Sequence, residues 1–82
     1  MDSGTYQPQD LPALAREAHA ASGLTQAEAA ERLGVTQPAY NQALSQRAGM
    51  DALRRRIVEA FTEYRVVGPE YRLVRKDGAD EA

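Results

Sequence analysis

Residues 25–45, TQAEAAERLGVTQPAYNQALS, hold two helix starts and one helix stop in close succession. Thr25 followed three positions later by Glu28 is a capping box, in which the threonine oxygen accepts from the third amide while the glutamate reaches back to the threonine amide. The helix it opens runs through Ala29, Ala30 and Leu33 and stops at Gly34, a residue free to turn left-handed. Thr36 is then a second N-cap, and Pro38 sits in a first turn where its missing amide costs nothing. The third helix of the chain follows through Ser45, with Tyr40, Ala43 and Leu44 as its apolar stripe. Its other side, carrying Gln37, Asn41, Gln42 and Ser45, is polar but uncharged. The close crossing of two such helices requires a small residue at Ala30 and inward-facing Val35, Tyr40 and Leu44.

Outward from this unit, Leu11, Leu14, Ala15, Ala18 and Ser22 recur at helical spacing, which predicts a first helix capped by Asp10, with Pro12 in its first turn and Gly23 as its stop. Downstream, Asp51 is expected to cap a fourth helix in which Leu53, Ile57, Ala60, Phe61 and Tyr64 keep the period. The character then changes to β-branched and aromatic: Arg65-Val66-Val67 and Tyr71-Arg72-Leu73-Val74-Arg75, separated by Gly68-Pro69, predict one strand or a hairpin. The expected organisation is therefore a disordered arm over residues 1–9, a helical domain over 10–64, a β element over 65–76 and an acidic tail over 77–82. Eighty-two residues support one core. Of the apolar residues 15 are alanine, which leaves 20 larger side chains, so the core is thin and a partner subunit would help it.

Two short helices joined by a tight glycine-containing turn form the helix-turn-helix pattern. The segment QAEAAERLGVTQPAYNQALS resembles the Cro and Xre family of bacterial and phage repressors, the similarity being concentrated at Gln26, Ala30, Leu33, Gly34, Val35, Gln37, Ala39, Asn41 and Ala43. The resemblance implies a mainly α fold, a four-helix Cro/repressor-like helix-turn-helix domain with a short C-terminal β-strand or hairpin, and about two-thirds of the chain is covered by it. It also implies double-stranded DNA as the partner and assigns roles. Gln26 is expected to donate to a phosphate, and Gln37, Pro38 and Gln42 to point into the major groove, with Asn41 and Ser45 near the backbone or neighbouring bases. A glutamine amide pairs bidentately with adenine and Pro38 offers apolar contact to a thymine methyl, so the expected readout leans towards A·T pairs.

The third helix carries no lysine or arginine, so phosphate attraction is expected from Arg47 just after it or from Arg54 and Arg55 at the start of the fourth. The triplet Arg54-Arg55-Arg56 equally fits a solvated helix face, and consecutive residues about 100° apart on a helix cannot all meet one groove. Net charge is −2, but residues 1–46 hold two basic side chains against five acidic and residues 47–76 eight against four, which places the basic surface in the second half. Tyr40, where the family usually has an aliphatic residue, needs a partner for its hydroxyl. The lone His19 reads as a surface or half-buried residue of the first helix.

Other functions find little support in the residues. There is no cysteine and a single histidine, which leaves no metal cluster, cofactor site or thiol nucleophile. The glycines are scattered, with no phosphate-cradling loop, and Glu28 and Glu31 share an open helix face on which they stay ordinary acids. No apolar run approaches a membrane span and the N-terminus lacks the pattern of a signal peptide, so the expectation is a soluble cytoplasmic protein that is not an enzyme. A single recognition helix on an acidic chain would bind weakly, hence an expected homodimer on a pseudo-palindromic site, joined through the strand Tyr71 to Arg75 with Tyr71, Leu73 and Val66 at the interface. The alternative expectation is an antitoxin that holds a toxin protein and represses its own operon.

Overall fold

A computed structural model describes residues 4–68 and 71–76 of the chain. In order it forms β1 (Gly4–Thr5), a 3-10 turn (Pro8–Asp10), α1 (Leu11–Ser22), α2 (Gln26–Leu33), α3 (Gln37–Ala43), α4 (Asp51–Phe61), β2 (Tyr64–Val67) and β3 (Arg72–Arg75). The fold is mainly helical with a small antiparallel sheet. No helix among the described residues is long and apolar enough to cross a membrane.

The local signals between Thr25 and Ala43 act as their chemistry requires. Thr25 Oγ1 accepts from the Glu28 amide at 3.1 Å while Glu28 Oε1 accepts from the Thr25 amide at 2.9 Å. Hydrogen bonding to the Thr25 amide first, and to the Thr25 side chain second, holds the Glu28 carboxyl below its ordinary pKa. At the other end of α2, Gly34 adopts φ 71°, and the Val35 amide returns to the Ala30 carbonyl at 3.0 Å, closing the helix with the six-to-one bond of a Schellman turn. Thr36 Oγ1 then accepts from the Ala39 amide at 3.2 Å and starts α3. Helix α3 ends at Ala43, and Ser45, expected inside it, lies in the turn that follows.

Helices α1 and α4 make the most extensive helix pairing. Leu11, Leu14, Ala15 and Ala18 from α1 meet Ile57 and Val58 from α4, and Ala29, Ala30, Tyr40 and Ala43 close the core from the α2–turn–α3 side. Asp10 stands at the N-cap position of α1, as the sequence reading expects, but makes no side-chain capping bond there; it ends the 3-10 turn, and its carboxylate accepts from the Gln7 amide at 3.0 Å. The boundaries of α4 differ from that reading. Helix α4 begins with Asp51 itself and stops at Phe61, where Thr62 turns extended and its Oγ1 donates to the Val58 carbonyl at 2.6 Å. Tyr64, expected to continue the helix, is thereby released to start β2. The Lys76 ammonium donates to the Glu59 and Thr62 carbonyls at this helix end, where a cation is favoured by the helix dipole.

The C-terminal element is a hairpin. Val66 lies opposite Leu73 and Tyr64 opposite Arg75, and Tyr64, Val66 and Leu73 turn inward onto the helical core. The expected disordered arm is corrected over its described part. Gly4 and Thr5 pair with Leu73 and Arg72, making β3 the central strand in the order β1-β3-β2, and Tyr6 packs against the core. Nothing in the composition of that stretch marks a strand; the free edge of β3 provides the backbone partners. Met1–Ser3, the Pro69 half of the expected turn and the expected acidic tail lie outside the described residues.

Candidate nucleic-acid interface

The exposed side of α3 begins at its cap. Gln37, Pro38 and Asn41 are exposed and Gln42 half-buried, and the four line one shallow cleft. Gln26, in the first turn of α2, reaches across: its Oε1 accepts from Asn41 Nδ2 at 2.8 Å. This bond ties the start of α2 to the middle of α3. Ser45 Oγ donates to the Gln42 carbonyl at 2.7 Å and accepts from the Arg47 amide at 3.2 Å, fixing the turn that carries Arg47, whose own residue is exposed. Six of the expected site residues, Gln26, Gln37, Pro38, Asn41, Gln42 and Ser45, thus share one face, with Arg47 on the connection beside it.

The arginine triplet of α4 divides in three directions. Arg54, expected on phosphate, is 3% exposed. Its Nε donates to the Ala43 carbonyl at 2.8 Å, one terminal nitrogen donates to the Ser45 and Arg47 carbonyls at 2.7 and 2.6 Å, and the other meets the Asp51 carboxylate at 2.9 Å. The helix α3 ends facing α4, so its unsatisfied carbonyls and the following turn need donors, and a planar guanidinium supplies several at once. Arg55, also expected on phosphate, is half-buried: it donates to the Val66 carbonyl at 3.1 Å and lies over the Tyr71 ring at 5.8 Å, on the sheet side of α4. Arg56 donates to the Leu33 carbonyl at 2.6 Å, at the end of α2.

Two functional candidates escaped the sequence reading. Arg16 and His19 of α1 line a groove with Gln26, Asn41, Leu44 and Ser45, adjoining the α3 cleft through the shared Asn41. Arg16 donates to the Leu44 carbonyl at 3.0 Å. His19 Nδ1 forms a 2.7 Å hydrogen bond with the Tyr40 hydroxyl, with the rings edge-on at 5.3 Å, and so provides the partner that a buried tyrosine needs. Burial raises the Tyr40 pKa to about 12. The available signal was the i, i+3 spacing of Arg16 and His19 on one side of α1, combined with the unpaired hydroxyl expected of Tyr40.

The expected dimer side chains are also relocated. Val66 and Leu73 are 4% and 1% exposed, within the core of their own chain, and Tyr71 is half-buried against that core at φ 47°. The edge of β3 over Arg72 and Leu73 is occupied by β1. On the outer edge of β2 the outward backbone groups are capped from α4 and its end: the Val66 amide donates to Glu59 at 2.9 Å, its carbonyl accepts from Arg55, and the Tyr64 amide donates to Thr62 Oγ1 at 3.1 Å. An edge closed in this way is protected against strand addition.

The chain matches no known family model, no curated protein and no solved structure.

Proposed function

We propose that the chain is a sequence-specific double-stranded DNA-binding regulator of the Cro/Xre helix-turn-helix type, a repressor that places the exposed face of α3 in the major groove. The observation that carries this reading is the α3 cleft: Gln37, Asn41 and Gln42 present carboxamides beside Pro38, and no charged side chain lines it. Amides of this kind read base edges by paired donor and acceptor, while apolar Pro38 suits a thymine methyl. Gln26 adds support, since its oxygen is engaged by Asn41 and its NH₂ group is left to donate. Arg47 flanks the same face. Two copies of the chain would present two such helices to half-sites about 10 base pairs apart, reading a pseudo-palindrome.

The experiment is selection of bound duplexes from a random pool, followed by titration of Gln37→Ala and Gln42→Ala on the best site and on random sequence. Each substitution should cost about 1–3 kcal/mol on the best site and leave random-sequence binding nearly unchanged. Equal loss on both would remove the two amides from base readout, and a pool that yields no enriched sequence would overturn sequence-specific binding.

A further inference from the structure

The DNA-binding reading leaves a charge problem on its own face. Helix α3 carries no cation, Arg54 is buried against carbonyls and Arg55 is held by the sheet, which leaves Arg47, of the cations expected on phosphate, flanking the face. The groove beside the α3 cleft answers it. Its walls come from α1, the start of α2 and the end of α3, and its six lining residues, Arg16, His19, Gln26, Asn41, Leu44 and Ser45, include no carboxylate. It is open and has a volume of about 420 Å³, ample for a phosphodiester group.

The donors around it are held in place. Arg16 spends one N–H on the Leu44 carbonyl at 3.0 Å, which fixes the guanidinium while leaving most of its five donors unused by that bond. Gln26 has its oxygen occupied by Asn41, so the NH₂ is the part of its carboxamide that remains for a ligand. A groove with anchored donors, a permanent positive charge and no acidic side chain is complementary to an anion. Asn41 lines both this groove and the α3 cleft, so an anion seated here sits alongside whatever occupies that cleft. We propose that Arg16 is a phosphate-contacting cation of the DNA-binding face and that this groove seats one backbone phosphate of the duplex. The inference rests on the DNA-binding reading and names a residue of α1, outside the α2–turn–α3 unit, as part of the contact.

The test titrates the full chain, Arg16→Gln and Arg16→Lys against the best selected duplex and a random duplex, between about 50 and about 200 mM salt, with folding of each variant checked by circular dichroism. Arg16→Gln should weaken binding to both duplexes about tenfold at the low-salt end and reduce the slope of log affinity against log salt by about one per subunit. Arg16→Lys keeps the charge and should recover most of that slope. If Arg16 serves only to cap the Leu44 carbonyl, the glutamine variant will leave the slope unchanged while the wild-type chain still binds, and the inference falls alone. A lysine variant with the same reduced slope as the glutamine variant would also overturn it. If the wild-type chain binds neither duplex, the DNA-binding reading itself falls, and the Arg16 assignment with it.

Discussion

Replacing Arg54 by methionine keeps the aliphatic stem and removes the guanidinium, and it separates a structural arginine from a DNA-contacting one. Four hydrogen bonds disappear, three of them to the carbonyls of Ala43, Ser45 and Arg47 and one to Asp51. Bonds to a charged group contribute roughly 1.5–3 kcal/mol each when lost singly, which would sum to more than such a site can yield. Two offsets reduce the total. The guanidinium no longer has to be desolvated, and Ser45 and Arg47 are exposed residues whose carbonyls can turn to water. A net loss of about 3 kcal/mol is expected, against a total stability on the order of 4–12 kcal/mol for a chain of this length. In urea, with a slope near 1 kcal/mol per M for a small domain, the unfolding midpoint should fall by roughly 3 M. Arg54→Lys should lose more than half as much, because one ammonium cannot reach three carbonyls and a carboxylate in the same geometry. DNA affinity of the folded variant should keep the salt slope of the wild-type chain. A loss under about 1 kcal/mol, combined with a reduced salt slope, would return Arg54 to the phosphate set and refute the reasoning.

Arg47→Ala should leave the urea midpoint unchanged, since the turn is held by its backbone, and lower the salt slope by about one per subunit in a binding titration. Gly34→Ala should cost about 1 kcal/mol in urea unfolding: no atom crowds a Cβ there, so the whole cost is the left-handed backbone at φ 71°. Tyr40→Phe should cost about 1 kcal/mol at neutral pH through loss of the bond to His19. Because the folded Tyr40 hydroxyl holds its proton up to about 12, against about 10 when unfolded, its contribution is complete below pH 10 and lost as pH rises towards 12. The wild-type advantage of about 1 kcal/mol should therefore shrink and reverse over that window, so that the stability curves of wild type and Tyr40→Phe cross, and parallel curves would show that Tyr40 ionises as freely in the fold as out of it.

The elements legible in the sequence are those whose cause is local. The Thr25–Glu28 box, Gly34 at the helix stop and Thr36 at the next start each act within about five residues, so α2, its turn and the start of α3 could be placed from spacing alone. The same is true of the polar face of α3, which follows from helical periodicity. The end of α4 was less legible, because Tyr64 kept the apolar period while Thr62 ended the helix through its own hydroxyl.

By itself the sequence determined two capped helices around a left-handed glycine, the uncharged amide face of the second, and the β character of the C-terminal stretch, all through interactions between near neighbours in the chain. Tertiary structure alone decided the rest. Gly4 and Thr5 are a strand because β3, distant in sequence, presents an edge to them. Arg54, Arg55 and Arg56 are adjacent in sequence with the same chemistry, and only the surroundings of α4 send one to the end of α3, one to the sheet and one to the end of α2. Arg16 and His19 join the site because α1 passes beside α3, bringing them to Leu44 and Tyr40 across separations of 28 and 21 residues. Such contacts depend on how helices pack together, and no window of neighbouring residues contains that packing.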